Sequence, residues 1–232
     1  MTVDPSMLEA VVRSHLNASA PRTMVVLEPI RVNLVNLTPD VGFLLDVADF
    51  PDDPSRGSHP VSFSNVIYID AADFREEGEK GYRRLTPQQS VGLRYAGFVI
   101  SVEKVHKAAN DGRVTAIDAK AVPVAEAAEK PKAFVHWVAD PVEVEVRLYE
   151  RLFRHKNPED PAEVPGGFLS DVDPDSKKVL RGCMADRHLL KAKVLDRFQF
   201  ERLGFFAVDQ DSSGDSLVFN RTVSLKEDNK KV

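Results

Sequence analysis

Alternation of apolar and polar positions dominates this chain and is densest between residues 82 and 150. Val142, Val144, Val146 and Leu148 alternate with Glu143, Glu145 and Arg147, which predicts a strand with one buried face. Ile30, Val32 and Leu34 alternate in the same way with Arg31 and Asn33. Further strands are predicted at Val66–Ile69, Val91–Tyr95, Phe98–Val105, Val114–Val122, Ala133–Val138 and Val218–Leu225, with a turn at Asn110-Asp111-Gly112. Asp70–Phe74 reads as a capped single helical turn. Loops are expected at 51–60, 154–167 and 209–216, the second also a candidate domain boundary. Residues 176–196 suit strand or helix, and the last seven residues read as a frayed tail. The first 19 residues read as a helix, with apolar positions at Leu8, Val11, Val12 and His15/Leu16, Asp4 as cap, Pro5 opening it and Ala20-Pro21 closing it. The fold class is mostly β, with barrels or sandwiches as its natural forms.

The stretch Phe198–Asp209, FQFERLGFFAVD, places two aromatic runs around Glu201-Arg202-Leu203-Gly204. Aromatics favour strands and the glycine favours a tight connection, so a hairpin is expected, with Gln199 and Arg202 near one end. An amide and a guanidinium each offer two hydrogen-bonding positions in fixed geometry, which suits the edge of an unstacked base. From these residues alone, a strand pair with polar decoration is the preferred reading.

Composition narrows the field. The 232 residues are 43% hydrophobic and 29% charged, ordinary for a globular protein. A net charge of −5 argues against non-specific coating of nucleic acid but leaves room for a local basic patch. The lone Cys183 excludes an internal disulfide, and no apolar run is long enough for a membrane span, so a soluble intracellular protein is expected. No phosphate-binding glycine loop or G-x-S-x-G element occurs. The six histidines are scattered, and Cys183 with His188 matches no standard metal spacing, so neither a catalytic nor a metal site is expected. Basic residues beside aromatics, in Tyr82-Arg83-Arg84 and Arg94-Tyr95, together with Arg22, are the remaining candidates for an RNA surface.

Six segments carry a resemblance: APRTMVVLEP (20–29), ADFREE (72–77), AFVHWV (133–138), EVRLYERLF (145–153), FQFERLGFFAVD (198–209) and FNRTVSL (219–225). In this order, from about Leu8 to Leu225, the chain resembles the C-terminal anticodon-binding region of glutaminyl-tRNA synthetase. The resemblance implies two antiparallel β-barrels of the ribosomal L25-like type. It divides the chain into a helical tail (1–21), a proximal barrel (22–80 and 186–226), a distal barrel (81–185) and a tail (227–232). It implies a partner, the tRNA(Gln) anticodon loop, and an upstream catalytic domain of the same polypeptide that uses ATP as substrate to attach glutamine. The catalytic signatures of that domain are not found here, so the chain is expected to be a cofactor-free fragment, inactive alone, cytoplasmic and monomeric. Arg22, Gln199 and Arg202 match residues at the middle anticodon base, Arg83 and Arg84 a basic pair at the third, and Arg94 an arginine near the first. Gly92 departs from the pattern, standing where some bacterial members carry another arginine. A glutamyl-tRNA synthetase region, a free-standing 5S rRNA-binding L25-like protein and a protein-docking module remain as alternatives.

Overall fold

The computed structural model describes residues 5–38, 42–214 and 216–225. Helix Pro5–Ser19 starts on a proline, whose missing N–H costs nothing in the first turn, and stops ahead of Pro21. The expected cap Asp4 and the tail lie outside the described residues. Leu16 and Ala20 pack on Phe205 and Val223, fixing the helix to the sheet that follows.

The strands form two seven-stranded sheets, each nearly closed. The first runs in the order Arg22–Thr23, Arg197–Phe200, Gly204–Val208, Leu217–Ser224, Val142–Tyr149, Lys177–Ala185, Val25–Val26. Its two edge strands are separated in the chain by Met24 alone, so the sheet curls until its edges meet at one residue. The second runs Phe134–Val135, Val91–Leu93, Phe98–Lys107, Val114–Pro123, Pro29–Leu34, Val66–Asp70, Trp137–Val138, and its edges are separated by His136 alone. Closure leaves little unpaired sheet edge. AFVHWV is therefore two strands rather than the single one expected. Phe134-Val135 pairs in parallel with Gly92-Leu93, whereas Trp137-Val138 pairs antiparallel with Tyr68-Ile69.

The sheets divide the chain differently from the boundaries expected at 80/81 and 185/186. Residues 22–26 open the first barrel, 29–138 supply the second, and 142–224 complete the first. Pro29–Leu34 and Val66–Asp70 pair with each other and with later strands of the second sheet. Val142–Tyr149 and Lys177–Ala185 pair with each other, so the loop at 154–167 is a connection within one barrel and not a boundary. Register and buried faces choose a strand's partner, and a loop's composition does not report that choice. The ambiguous stretch becomes the strand Lys177–Ala185 and a 3-10 turn, Arg187–Lys191, capped by Asp186.

A hairpin of Gly42–Ala48 and Ser58–Ser64 was not anticipated and shortens the loop expected at 51–60. It sends Val47, Val61 and Phe63 into the core of the second barrel, where Phe63 lies 5.2 Å from the rings of both Phe98 and Trp137. The capped turn is present at Ala71–Asp73, with the Asp70 carboxylate accepting from the Ala72 N–H.

The hairpin at 198–208 forms, and the Phe200 and Phe206 rings stack at 4.1 Å in the first core. Its tight turn differs in detail from expectation. The Leu203 N–H donates to the Phe200 carbonyl at 3.0 Å, and the left-handed residue is Arg202, with φ 67°. Gly204 answers a separate constraint: its φ is 154°, and a Cβ there would sit 2.8 Å from the Val223 carbonyl oxygen. Gly204→Ala is therefore expected to lower unfolding free energy by about 1–3 kcal/mol, measured by urea denaturation.

Candidate nucleic-acid interface

Two tight turns, one from each barrel, face each other. Leu93–Ala96 closes with the Ala96 N–H donating to the Leu93 carbonyl, and its third residue, Tyr95, has φ 65°. Phe200–Leu203 is built alike, with Arg202 third. That position in a type II turn normally takes glycine, so a tyrosine and an arginine there each hold about 1–3 kcal/mol of backbone strain. The strain fixes where their side chains leave the backbone.

Glu201, only 3% exposed, meets the opposite turn. One carboxylate oxygen accepts from the Tyr95 hydroxyl, and the other lies 3.2 Å from Arg94 Nε, close enough to pair but misaligned for a hydrogen bond. Burial pushes the Arg94 guanidinium towards losing its proton, and the Glu201 charge together with Tyr95 more than offsets this, so its pKa is raised. Burial and the bond to Glu201 also raise the Tyr95 phenol.

Arg202 reaches into the second barrel. Its Nη1 and Nη2 donate to the two carboxylate oxygens of Asp73 at 2.6 and 2.7 Å, and Asp73 is 1% exposed. Arg84 Nη1 lies 3.3 Å from the same carboxylate and donates to the Ala72 carbonyl at 3.2 Å. Burial and Asp73 push the neighbouring Tyr82 phenol up to about 12. Arg202 Nη1 also lies 3.2 Å from Nδ1 of His136, the residue at the second barrel's seam. A guanidinium only donates, so this Nδ1 must accept, which leaves the imidazole proton on Nε2. That Nε2 is buried without a partner. Burial, then the Arg202 charge, push the His136 pKa down to about 4.

The candidate residues fall together with one exception. Arg22 and Gln199 are register neighbours on parallel strands, and Gln199 is buried with its Oε1 unpartnered. Arg22, Thr23, Tyr95 and Glu201 line one small pocket between the barrels. Arg84, Arg94 and Arg202 gather around Asp73 and Glu201, three guanidinium groups against two buried carboxylates. Arg83 is exposed and has no ionic or hydrogen-bond partner among the described residues. At Gly92 a Cβ would lie 2.4 Å from the Phe134 ring, so an arginine there requires that ring to move.

Two family profiles, both described as the anticodon-binding domain of class I (E and Q) tRNA synthetases, match residues 20–122 and 134–209. The chain belongs to this family. It is 57% identical over 98% of its length to a probable glutamine–tRNA ligase of Drosophila melanogaster. It is 51% identical over all of its length to the glutamine–tRNA ligase of Bos taurus, and 47% identical over 96% to a cytoplasmic glutamine–tRNA ligase of Arabidopsis thaliana. The chain spans 28–30% of the length of these curated relatives. Neither the glutamyl nor the ribosomal alternative is favoured by these matches.

Within the family's anticodon-binding frame, sequence reasoning missed the acidic half of the site. Asp73 reads locally as part of a capped turn and Glu201 as part of a connector, although both lie in the segments that carry the resemblance, ADFREE and QFER. Two features elsewhere do not suit RNA. A groove of about 980 Å³ beside Leu27, Arg75 and Arg181 is lined by Glu28, Glu76, Glu77 and Glu79. His188 pairs not with Cys183 but with Asp186 and His59, their donor atoms within 4.8 Å of one another. The two imidazoles stack at 3.8 Å with a 31° tilt.

His136 also supplies a pH dependence. With a folded pKa of about 4 and an unfolded value near 6.5, the unfolded chain binds the extra proton between those values. Its contribution is fully present above about pH 6.5 and is lost as pH falls towards 4, at up to about 1.4 kcal/mol per pH unit. Urea midpoints measured across that window should fall more steeply with acid for the wild type than for His136→Gln.

Proposed function

We propose that this chain is the anticodon-binding region of a glutamine–tRNA ligase and grips the anticodon loop of tRNA(Gln) at the junction of its two barrels. In the full-length protein, a cytoplasmic monomer in this reading, it supports the ATP-dependent attachment of glutamine by a catalytic domain upstream. One observation carries the assignment of the site. Among the described residues, the buried side-chain polar atoms without a hydrogen-bond partner are Thr23 Oγ1, Arg94 Nε, His136 Nε2 and Gln199 Oε1, and all four belong to this junction. Buried polar groups are nearly always paired, and a group of orphans at one place marks a site where a ligand completes the pairing.

The chemistry fits an unstacked base. Gln199 offers an amide, His136 a donor, and Arg22, Arg94 and Arg202 offer forked donors, while the exposed Arg83 is free to meet phosphate. A base of the wrong pattern leaves these groups unpaired and costs about 1–3 kcal/mol per lost bidentate contact. Phosphate contacts position the loop, and base edges specify it.

The test is binding of this chain to tRNA(Gln) and to a transcript with its middle anticodon base changed, at two salt concentrations. Tighter binding to the unchanged tRNA, by about tenfold, is expected, and Gln199→Met should erase most of that difference. Raising salt should weaken both, on the order of tenfold or more between 50 and 200 mM for about three phosphate contacts. Binding that ignores salt would point to a protein-docking module instead.

A further inference from the structure

Asp73 is one carboxylate serving two arginines that come from different places. Arg202 reaches it from the first barrel through two short bonds, and Arg84 reaches it from the second barrel, twelve residues past the Ala72 carbonyl that also holds it. The carboxylate has little freedom of its own. It stands at the end of the turn capped by Asp70, its backbone carbonyl accepts from the Leu85 N–H at 3.1 Å, and its side chain is 1% exposed. Arg84, by contrast, has a side chain 41% exposed and can swing outwards.

We infer that Asp73 is a positioning residue that couples Arg84 and Arg202, so that the two arginines read the RNA as one unit and not as independent contacts. The inference rests on the anticodon-loop reading above. A single negative charge divides its attraction between two guanidinium groups. When RNA draws Arg84 away, or when Arg84 is absent, the whole attraction of the fixed carboxylate falls on Arg202 and draws its guanidinium closer. Either change moves the donor fork of Arg202 relative to a base it must meet in fixed geometry. Loss of the carboxylate has a different signature. Two like charges then face each other, Arg202 loses its alignment, and the junction gains one net positive charge. Attraction for phosphate rises while base discrimination falls.

The experiment measures dissociation constants of the full chain for three tRNA(Gln) transcripts: unchanged, middle anticodon base changed, and third base changed. The discrimination ratio at each position is the readout, because partial unfolding lowers all three affinities together and leaves the ratios alone. Arg84→Ala, at a half-exposed side chain, should fold normally and lower the ratio at both positions by about threefold or more. Arg202→Lys should do the same, and the double variant should lose less than the product of the two single losses. Asp73→Asn should bind the mismatched transcripts as well as or better than the wild type while losing both ratios. Loss confined to one position in Arg84→Ala, with multiplicative losses in the double variant, would overturn the coupling and leave the anticodon reading standing. Ratios unchanged in both Arg84→Ala and Arg202→Lys would overturn the anticodon reading, and this inference with it.

Discussion

The junction depends on a carboxylate that cannot be left alone. Asp73 is buried, and an unpaired buried charge costs several kcal/mol, so an ionised Asp73 needs a cation to reach it. The cation that does so through two bonds is Arg202, 129 residues away in the chain and in the other barrel. A bond between barrels with this penalty for breaking sets their relative position more sharply than apolar contact does, because a guanidinium–carboxylate fork tolerates little misalignment. Glu201, next to Arg202, repeats the pattern in the opposite sense, sending a buried carboxylate across to Arg94 and Tyr95. Each barrel thus supplies one acid to the other's cation.

The way each barrel closes explains why these residues meet. A sheet whose two edges are separated by one residue must bring that residue to the seam, and the seams are at Met24 and His136. Arg22 and Thr23 precede one seam, and Gln199 pairs beside them. His136 is the other seam, and Arg202 touches it. The site is therefore built where two closed sheets come together, from residues that closure itself forces into place. The two turns add their part by holding Tyr95 and Arg202 in left-handed conformations that favour glycine.

Much of the fold was legible because period-two alternation reports a strand whatever its partner is. The helix, the capped turn at Ala71–Asp73 and the hairpin after Phe198 all have local signals, and all are present. What failed was pairing. AFVHWV reads as one strand because each of its residues suits a strand, and nothing local records that Phe134-Val135 and Trp137-Val138 lie on opposite edges of a sheet. The hairpin of Gly42–Ala48 and Ser58–Ser64 was hidden by a proline and by polar residues that an edge strand tolerates. The candidate arginines stand out as basic residues beside aromatics, and the resemblance assigns them to bases. Their acidic partners do not stand out, because an aspartate after a cap and a glutamate in a turn already have sufficient local explanations.

Those acids bear on how such a surface selects. Three arginines without them would make a strongly positive patch that attracts any phosphate backbone, and the chain's net charge of −5 shows no general drive in that direction. With Asp73 and Glu201 present, the three guanidinium groups keep an excess of one positive charge, and each is already oriented by a carboxylate. An RNA that displaces those carboxylates must replace the hydrogen bonds they supply. A phosphate can match the charge from many positions, whereas only a base edge with the right acceptors can match the fixed pattern of the forks as well. Buried acids in a binding site for an acid thus lower attraction and raise the penalty for a poor fit, which is the exchange that specificity requires.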